Sequence, residues 1–167
     1  AAIRSRERDD EDERAADIAD ARDYSAMARR RATNGEPVLV IMHGLSGSGK
    51  TWLSERLMAA LPAVRVRSDI ERKRLFGLDE DADSESGIGS GIYSPSASTE
   101  TYERLFTLAD SLLAAGHHVI LDAAFLKKKQ RVFARSVASS LDVESVLVYA
   151  EAPVDVLRSR IERRAKR

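Results

Sequence analysis

Gly44-Leu45-Ser46-Gly47-Ser48-Gly49-Lys50-Thr51 matches the phosphate-loop pattern G-x-x-x-x-G-K-[ST] at every position. Glycines at this spacing let successive backbone N–H groups converge on an anion, and a following helix adds the positive end of its dipole. Lys50 is long enough to reach the β- and γ-phosphates of a nucleotide, and the Thr51 hydroxyl is a hard oxygen suited to Mg²⁺. With Trp52 adjoining, Gly44 to Trp52 is the candidate nucleotide-binding set, with ATP and Mg²⁺ as the expected cofactors. The alternative is a glycine-rich connection that carries Lys-Thr by accident. The apolar run Val38–Met42 before it and the helical spacing after Thr51 argue against that.

Three further features could act on a bound nucleotide. Ser68-Asp69 follows a short β-branched segment, and Arg72 comes one helical turn later. A carboxylate could take the proton of an acceptor hydroxyl, and a cation could hold the acceptor or the moving phosphoryl group. Spacing alone leaves Asp69 equally readable as the N-cap of the next helix and Arg72 as a surface charge. Asp122 ends the apolar run Val119-Ile120-Leu121, where an acid can hold Mg²⁺ directly or through water. Arg160 and Arg164 share a face of a basic C-terminal helix and could close over phosphates as a lid. The same arginines suit an exposed helix end favoured by the helix dipole.

Other candidates read more plainly as packing or solvated surface. His43, His117 and His118 lack metal-ligand spacing, and His43 lies in a strand. Lys127-Lys128-Lys129 with Arg131 reads as a solvated basic face. Together with Arg65, Arg67, Lys73 and Arg74 it could also meet a nucleic-acid backbone. Tyr93 and Tyr102 flank a Ser/Gly/Asp-rich segment and could stack on a substrate or pack in the core.

The elements that must position these residues follow from periodicity. From Val38 onward, short apolar strands alternate with helical patterns, which predicts an α/β fold with a parallel sheet covered on both faces. Strands are expected at Val38–Met42, Val64–Arg67, His118–Leu121 and Val146–Tyr149. Helices are expected after Thr51, over Ile70–Phe76, Thr99–Ala115 and Lys127–Leu141, and from Pro153 onward. Asp79–Ser98 is predicted to be a mobile loop. Residues 1–36 are a separate charged helical linker, dominated by Arg, Asp and Glu and carrying Arg29-Arg30-Arg31, with the globular domain spanning 37–167.

Composition bounds the partners. The 167 residues suit one domain, and 27 basic against 27 acidic side chains give no global field toward nucleic acid or membrane. Zero cysteines exclude disulfides and thiolate metal sites and suit a reducing cytoplasm. No apolar run has the length of a membrane span. Asn34 is the only asparagine, so no Asn-Lys-x-Asp guanine-reading motif exists.

His43 to Thr51, then Arg67-Ser68-Asp69-Ile70-Glu71-Arg72, Gly91-Ile92-Tyr93-Ser94 and Val119-Ile120-Leu121-Asp122-Ala123-Ala124-Phe125 together resemble the AAA_33 or zeta-toxin-like group of P-loop kinases. The likeness extends to the C-terminal ATP-binding half of bacterial bifunctional aminoglycoside phosphotransferase/ATP-binding proteins. It implies a P-loop NTPase three-layer sandwich like that of nucleoside monophosphate kinases, with strand order 2-3-1-4-5. It further implies Asp69 as general base, Arg72 at the acceptor, Asp122 at Mg²⁺ or the acceptor, and Arg160 and Arg164 as lid arginines. By the same likeness, the domain is C-terminally incomplete without a fifth strand, and residues 1–36 tether it to a covalent N-terminal partner domain. The expected activity is transfer of the ATP γ-phosphoryl to a hydroxyl of a small molecule or nucleic-acid end. The alternative is a nucleotide-binding regulatory module that hydrolyses ATP beside a neighbouring domain.

Overall fold

The strand β1 (Val38–His43) is apolar from Val38 to Met42 because both of its faces are covered: these five residues are each at most 1% exposed. Such a strand belongs in the middle of a parallel sheet. The computed structural model describes residues 35–79 and 91–165, without the side chains of Arg164 and Ala165. It places β1 between β3 (His118–Asp122) and β4 (Glu144–Tyr149), with β2 (Ala63–Arg67) outside β3. All pairings are parallel, and the order is β2-β3-β1-β4. This agrees with the first four positions of the expected order. The predicted charged linker, residues 1–36, lies almost wholly outside the described residues.

The helices α1 (Lys50–Ala60), α2 (Ser68–Leu75), α3 (Pro95–Ala114), α4 (Lys128–Ser140) and α5 (Val154–Ala165) complete the described elements, with a 3₁₀ turn at Gly91–Tyr93. Alternate residues of the sheet feed two cores. Leu39, Ile41, Val119 and Leu121 pack with Leu105, Phe106 and Ala109 of α3, Ala134 of α4, and Phe125. Val38, Val40, Met42 and Ile120 pack on the other side with Leu53 and Leu57 of α1 and with Leu61. The result is the three-layer α/β/α sandwich. Each fully buried aliphatic side chain contributes about 1.5–3 kcal/mol, so the paired cores fix the sheet far more firmly than any single loop contact. No helix among the described residues is long and apolar enough to cross a membrane.

Several boundaries differ from the expected ones, for physical reasons. The predicted loop Asp79–Ser98 is described only at its ends, and its last part is ordered: α3 begins at Pro95, not Thr99. Ser94 caps it by accepting from Ala97 N–H at 3.3 Å, and Pro95 fills the first turn, where no N–H is needed. The strand β4 begins two residues before the expected Val146, because Glu144 pairs with Val38 although its side chain is exposed.

Candidate active site

The turn after β1 is built to leave backbone donors unsatisfied. Gly49 stands at the N-cap of α1 with φ 93°, and no side chain caps the helix. The first-turn N–H groups of α1 therefore face outward at the positive end of the helix. Gly44 (φ 145°) allows the chain to leave β1: a Cβ there would meet the Ala150 carbonyl oxygen at 2.2 Å and Ser48 Oγ at 2.8 Å. The Gly44 N–H donates to the Ala124 carbonyl at 3.2 Å, which ties the loop to the end of β3.

A cavity of about 260 Å³ opens over this helix end. Of the predicted nucleotide set, Ser46, Gly47, Gly49, Lys50, Thr51 and Trp52 line it. Gly44, Leu45 and Ser48 are not in its wall. Leu45 is 54% exposed on the loop's outside, and the Ser48 hydroxyl is buried beneath Gly44 without a partner among the described residues. Lys50 Nζ donates to the Leu45 carbonyl at 2.6 Å, folding back across its own loop. Trp52 carries the Arg56 guanidinium 4.4 Å from its ring centre.

The opposite wall contains Arg67, Ser68, Asp69, Asp122, Ala123 and Ala124. Asp69 is the second residue of α2, whose N-cap is Arg67, so the capping alternative is excluded. Its carboxylate is 53% exposed, with Lys73 Nζ at 3.9 Å. Asp122 is buried, and its Oδ2 accepts from Arg65 Nη2 at 2.6 Å, Arg65 Nε at 3.1 Å and Ser54 Oγ at 3.0 Å. Arg65, weighed from sequence as a nucleic-acid contact, is therefore an internal ion-pair partner with only 8% of its side chain exposed. Arg67, weighed in the same way, lies in the cavity wall. Nothing in a lone strand arginine signals either position, since both depend on strand register.

Arg72 is held outside the nucleotide-side cavity wall. Its Nη1 donates to the Ile92 carbonyl at 2.9 Å and to Ser98 Oγ at 3.4 Å, and its guanidinium carbon lies 5.2 Å from the Tyr93 ring centre. These partners turn it toward Gly91–Ser98, whereas Asp69 one turn earlier lines the nucleotide-side cavity. On α5, Arg160 Nη1 donates to the Gly47 carbonyl at 3.1 Å, holding the helix against the loop beside buried Leu157. The side chain of Arg164 lies outside the described residues. His43 is packed: its ring stacks on Tyr149 at 5.0 Å, and its Nδ1 lies 3.1 Å from the Ala124 carbonyl.

The donor set suits a cation that arrives with a nucleotide. Among the described residues no cluster of three or more His, Cys, Asp or Glu could hold a metal alone. The Thr51 hydroxyl and the Asp122 carboxylate share the cavity wall. Mg²⁺ characteristically takes one or two protein oxygens and fills its octahedron with phosphates and water. The residues present fit that mode.

The architecture is shared with proteins of known structure. It matches Mycobacterium tuberculosis APS kinase in complex with AMPPNP and APS, with TM-score 0.58 and 24% identity, over 79% of this chain and 73% of that one. A chain of the Pnkp1/Rnl/Hen1 RNA repair complex matches with TM-score 0.60 and 20% identity, over 78% of this chain and 38% of that one. At these identities the likeness establishes the fold alone, the P-loop NTPase three-layer sandwich. Uncharacterized proteins of M. tuberculosis and M. bovis are 29% identical over 147 residues, covering 88% of this chain and 30% of theirs. The chain thus spans less than a third of the length of the curated relatives it matches. The pattern of the AAA_33 family, an AAA domain, matches residues 39–167, and the chain belongs to that family.

Proposed function

We propose that this domain is an ATP-dependent phosphotransferase that moves the γ-phosphoryl group to a hydroxyl acceptor. One observation carries the reading: an uncapped helix N-terminus bearing Lys50 and Thr51 shares a single cavity with an exposed carboxylate, Asp69. The loop amides and Lys50 would hold the β- and γ-phosphates, with Lys50 exchanging its bond to the Leu45 carbonyl for phosphate oxygens. Mg²⁺ bound with the nucleotide would neutralise phosphate charge, held on the protein side by Thr51 and, directly or through water, by Asp122. Asp69 would accept the proton of the attacking hydroxyl as its oxygen bonds to the γ-phosphorus and the bond to the β-bridging oxygen breaks. Arg160, at the Gly47 carbonyl, and Arg67 would supply positive charge beside the transferring group, with Arg164 as a second lid arginine. Arg72 would face the acceptor rather than the nucleotide. The acceptor would be a small molecule or a polynucleotide end, and the charged segment ahead of Pro37 would tether the unit to a neighbouring domain.

The test is transfer of labelled γ-phosphate across nucleosides, oligonucleotide ends, aminoglycosides and sugars. With the accepted substrate, Asp69→Asn should lower turnover by about 10²–10⁴-fold, the usual contribution of a general base. Unchanged transfer would remove Asp69 from that role. Slow release of inorganic phosphate with every acceptor would instead favour the regulatory module, a reading supported by the much greater length of the relatives.

A further inference from the structure

A second cavity, of about 270 Å³, lies between α3 and α4, away from the phosphate loop. Tyr102, Glu103 and Phe106 of α3 face Lys127, Lys129 and Phe133 across it. Its base is aromatic: Phe106 and Phe133 have ring centres 4.7 Å apart, and Phe133 is still 54% exposed. A half-exposed phenylalanine on a ring-lined hollow offers a face on which another ring gains area at little cost. Among the described residues, no carboxylate lies within ion-pair distance of Lys127 or Lys129. Two ammonium groups beside an apolar floor favour an anion attached to a ring, and Glu103 would accept from a donor on the same molecule.

This hollow is coupled to the proposed transfer site by two connections. Ala123 and Ala124 line the nucleotide-side cavity while Lys127, on the same connector, lines the second. Three Cα steps separate Ala124 from Lys127, so the two walls approach within about 11 Å, the length of a small two-ring or ring-and-sugar molecule. From the other side, Arg72 bonds Ser98, which lines the second cavity, one helical turn from Asp69 in the first. Tyr102 steadies the junction by accepting from the Phe125 N–H at 3.0 Å.

The geometry points to the α3–α4 hollow as the acceptor subsite, binding a small molecule with an aromatic ring and an anionic group whose free hydroxyl extends toward Asp69. The proposal rests on the phosphoryl-transfer reading for its purpose, and its binding chemistry is tested separately. Phenyl phosphate is titrated into ¹⁵N-labelled protein without nucleotide. Amide signals of Tyr102, Phe106 and Lys127 through Phe133 should shift saturably, and inorganic phosphate or phenol alone should bind more weakly. Phe133→Ala, and separately the pair Lys127→Gln and Lys129→Gln, should each weaken phenyl phosphate about tenfold, as expected for losing one good contact. Lys50→Ala should leave this binding intact. Shifts confined to Gly44–Thr51, equal affinity for inorganic phosphate, or unchanged affinity in the variants would overturn the subsite. If phenyl phosphate binds as described but labelled γ-phosphate passes only to acceptors without a ring and an anionic group, the acceptor assignment is overturned while the phosphotransferase reading stands; if no acceptor of any class is labelled, it is the phosphotransferase reading that fails.

Discussion

Arg65 and Asp122 form a buried ion pair, Nη2 to Oδ2 at 2.6 Å, directly beneath the nucleotide-side cavity. Parallel register sets Arg67 opposite Asp122, so Arg65, two positions earlier on the same face, reaches it diagonally. Ser54 of α1 donates to the same oxygen, so β2, β3 and α1 are joined at one atom. Because these donors converge on Oδ2, the carboxylate is held in a fixed orientation. That makes Arg65 a positioning residue for Asp122.

The first prediction follows from that burial. Side-chain exposures of 8% and 6% mean that Arg65→Met leaves Asp122 as an uncompensated buried charge. The expected loss is about 3–5 kcal/mol of unfolding free energy, read by urea denaturation. Adding Asp122→Leu to the same chain should recover much of it, because the stranded charge is then gone. A double variant as unstable as the single one would show that something other than the pair is at stake.

Nucleotide binding should be visible as stability before any acceptor is known. ATP with Mg²⁺ at about a hundred times its dissociation constant should stabilise the fold by about 2.7 kcal/mol, a rise of several degrees in Tm. Lys50→Ala should abolish that rise while barely moving the Tm of the free protein, since Lys50 bonds its own loop at an exposed position. A nucleotide-dependent shift that survives Lys50→Ala would place binding elsewhere.

How far the sequence reaches is clearest at particular residues. The strands β1 and β3 were legible because burial on both faces demands continuous apolar runs, and the phosphate loop because its glycines have no cheap substitutes. Sheet order came from family resemblance, since periodicity says nothing of which strands pair. Arg65 was misread because an arginine in a strand looks solvent-facing until register brings it to Asp122. Helical spacing puts Arg72 one turn from Asp69 but cannot give its direction, which the Ile92 carbonyl and the Tyr93 ring, some twenty residues away, decide. The start of α3 was obscured by its Ser/Gly-rich surroundings, although Ser94-Pro95 is itself a helix-start signal.

Gly44 of the phosphate loop and Gly116, in the turn between α3 and β3, should differ sharply in tolerance. Gly44→Ala places a Cβ 2.2 Å from the Ala150 backbone carbonyl, which cannot move without parting β1 from β4. Gly116→Ala has a similarly unfavourable φ of 83° but nothing within 4 Å, so only backbone strain of about 1–2 kcal/mol is expected. Gly44→Ala should therefore cost clearly more in thermal unfolding and also lose the ATP-dependent Tm rise. Equal costs for the two substitutions would contradict this packing at the loop.

His118 should make the fold sensitive to mild acid. Its Nδ1 is buried without a partner among the described residues, and desolvation lowers its pKa below the ordinary 6.5. The unfolded chain then binds a proton at higher pH than the folded one. Its neutral imidazole thus contributes stability that is fully present above pH 6.5 and is lost as pH falls below that value. Unfolding free energies measured from pH 7.5 downward should decline through this range, and His118→Gln, which has no proton to gain there, should flatten that part of the decline. An identical slope in the variant would assign the acid sensitivity to other groups.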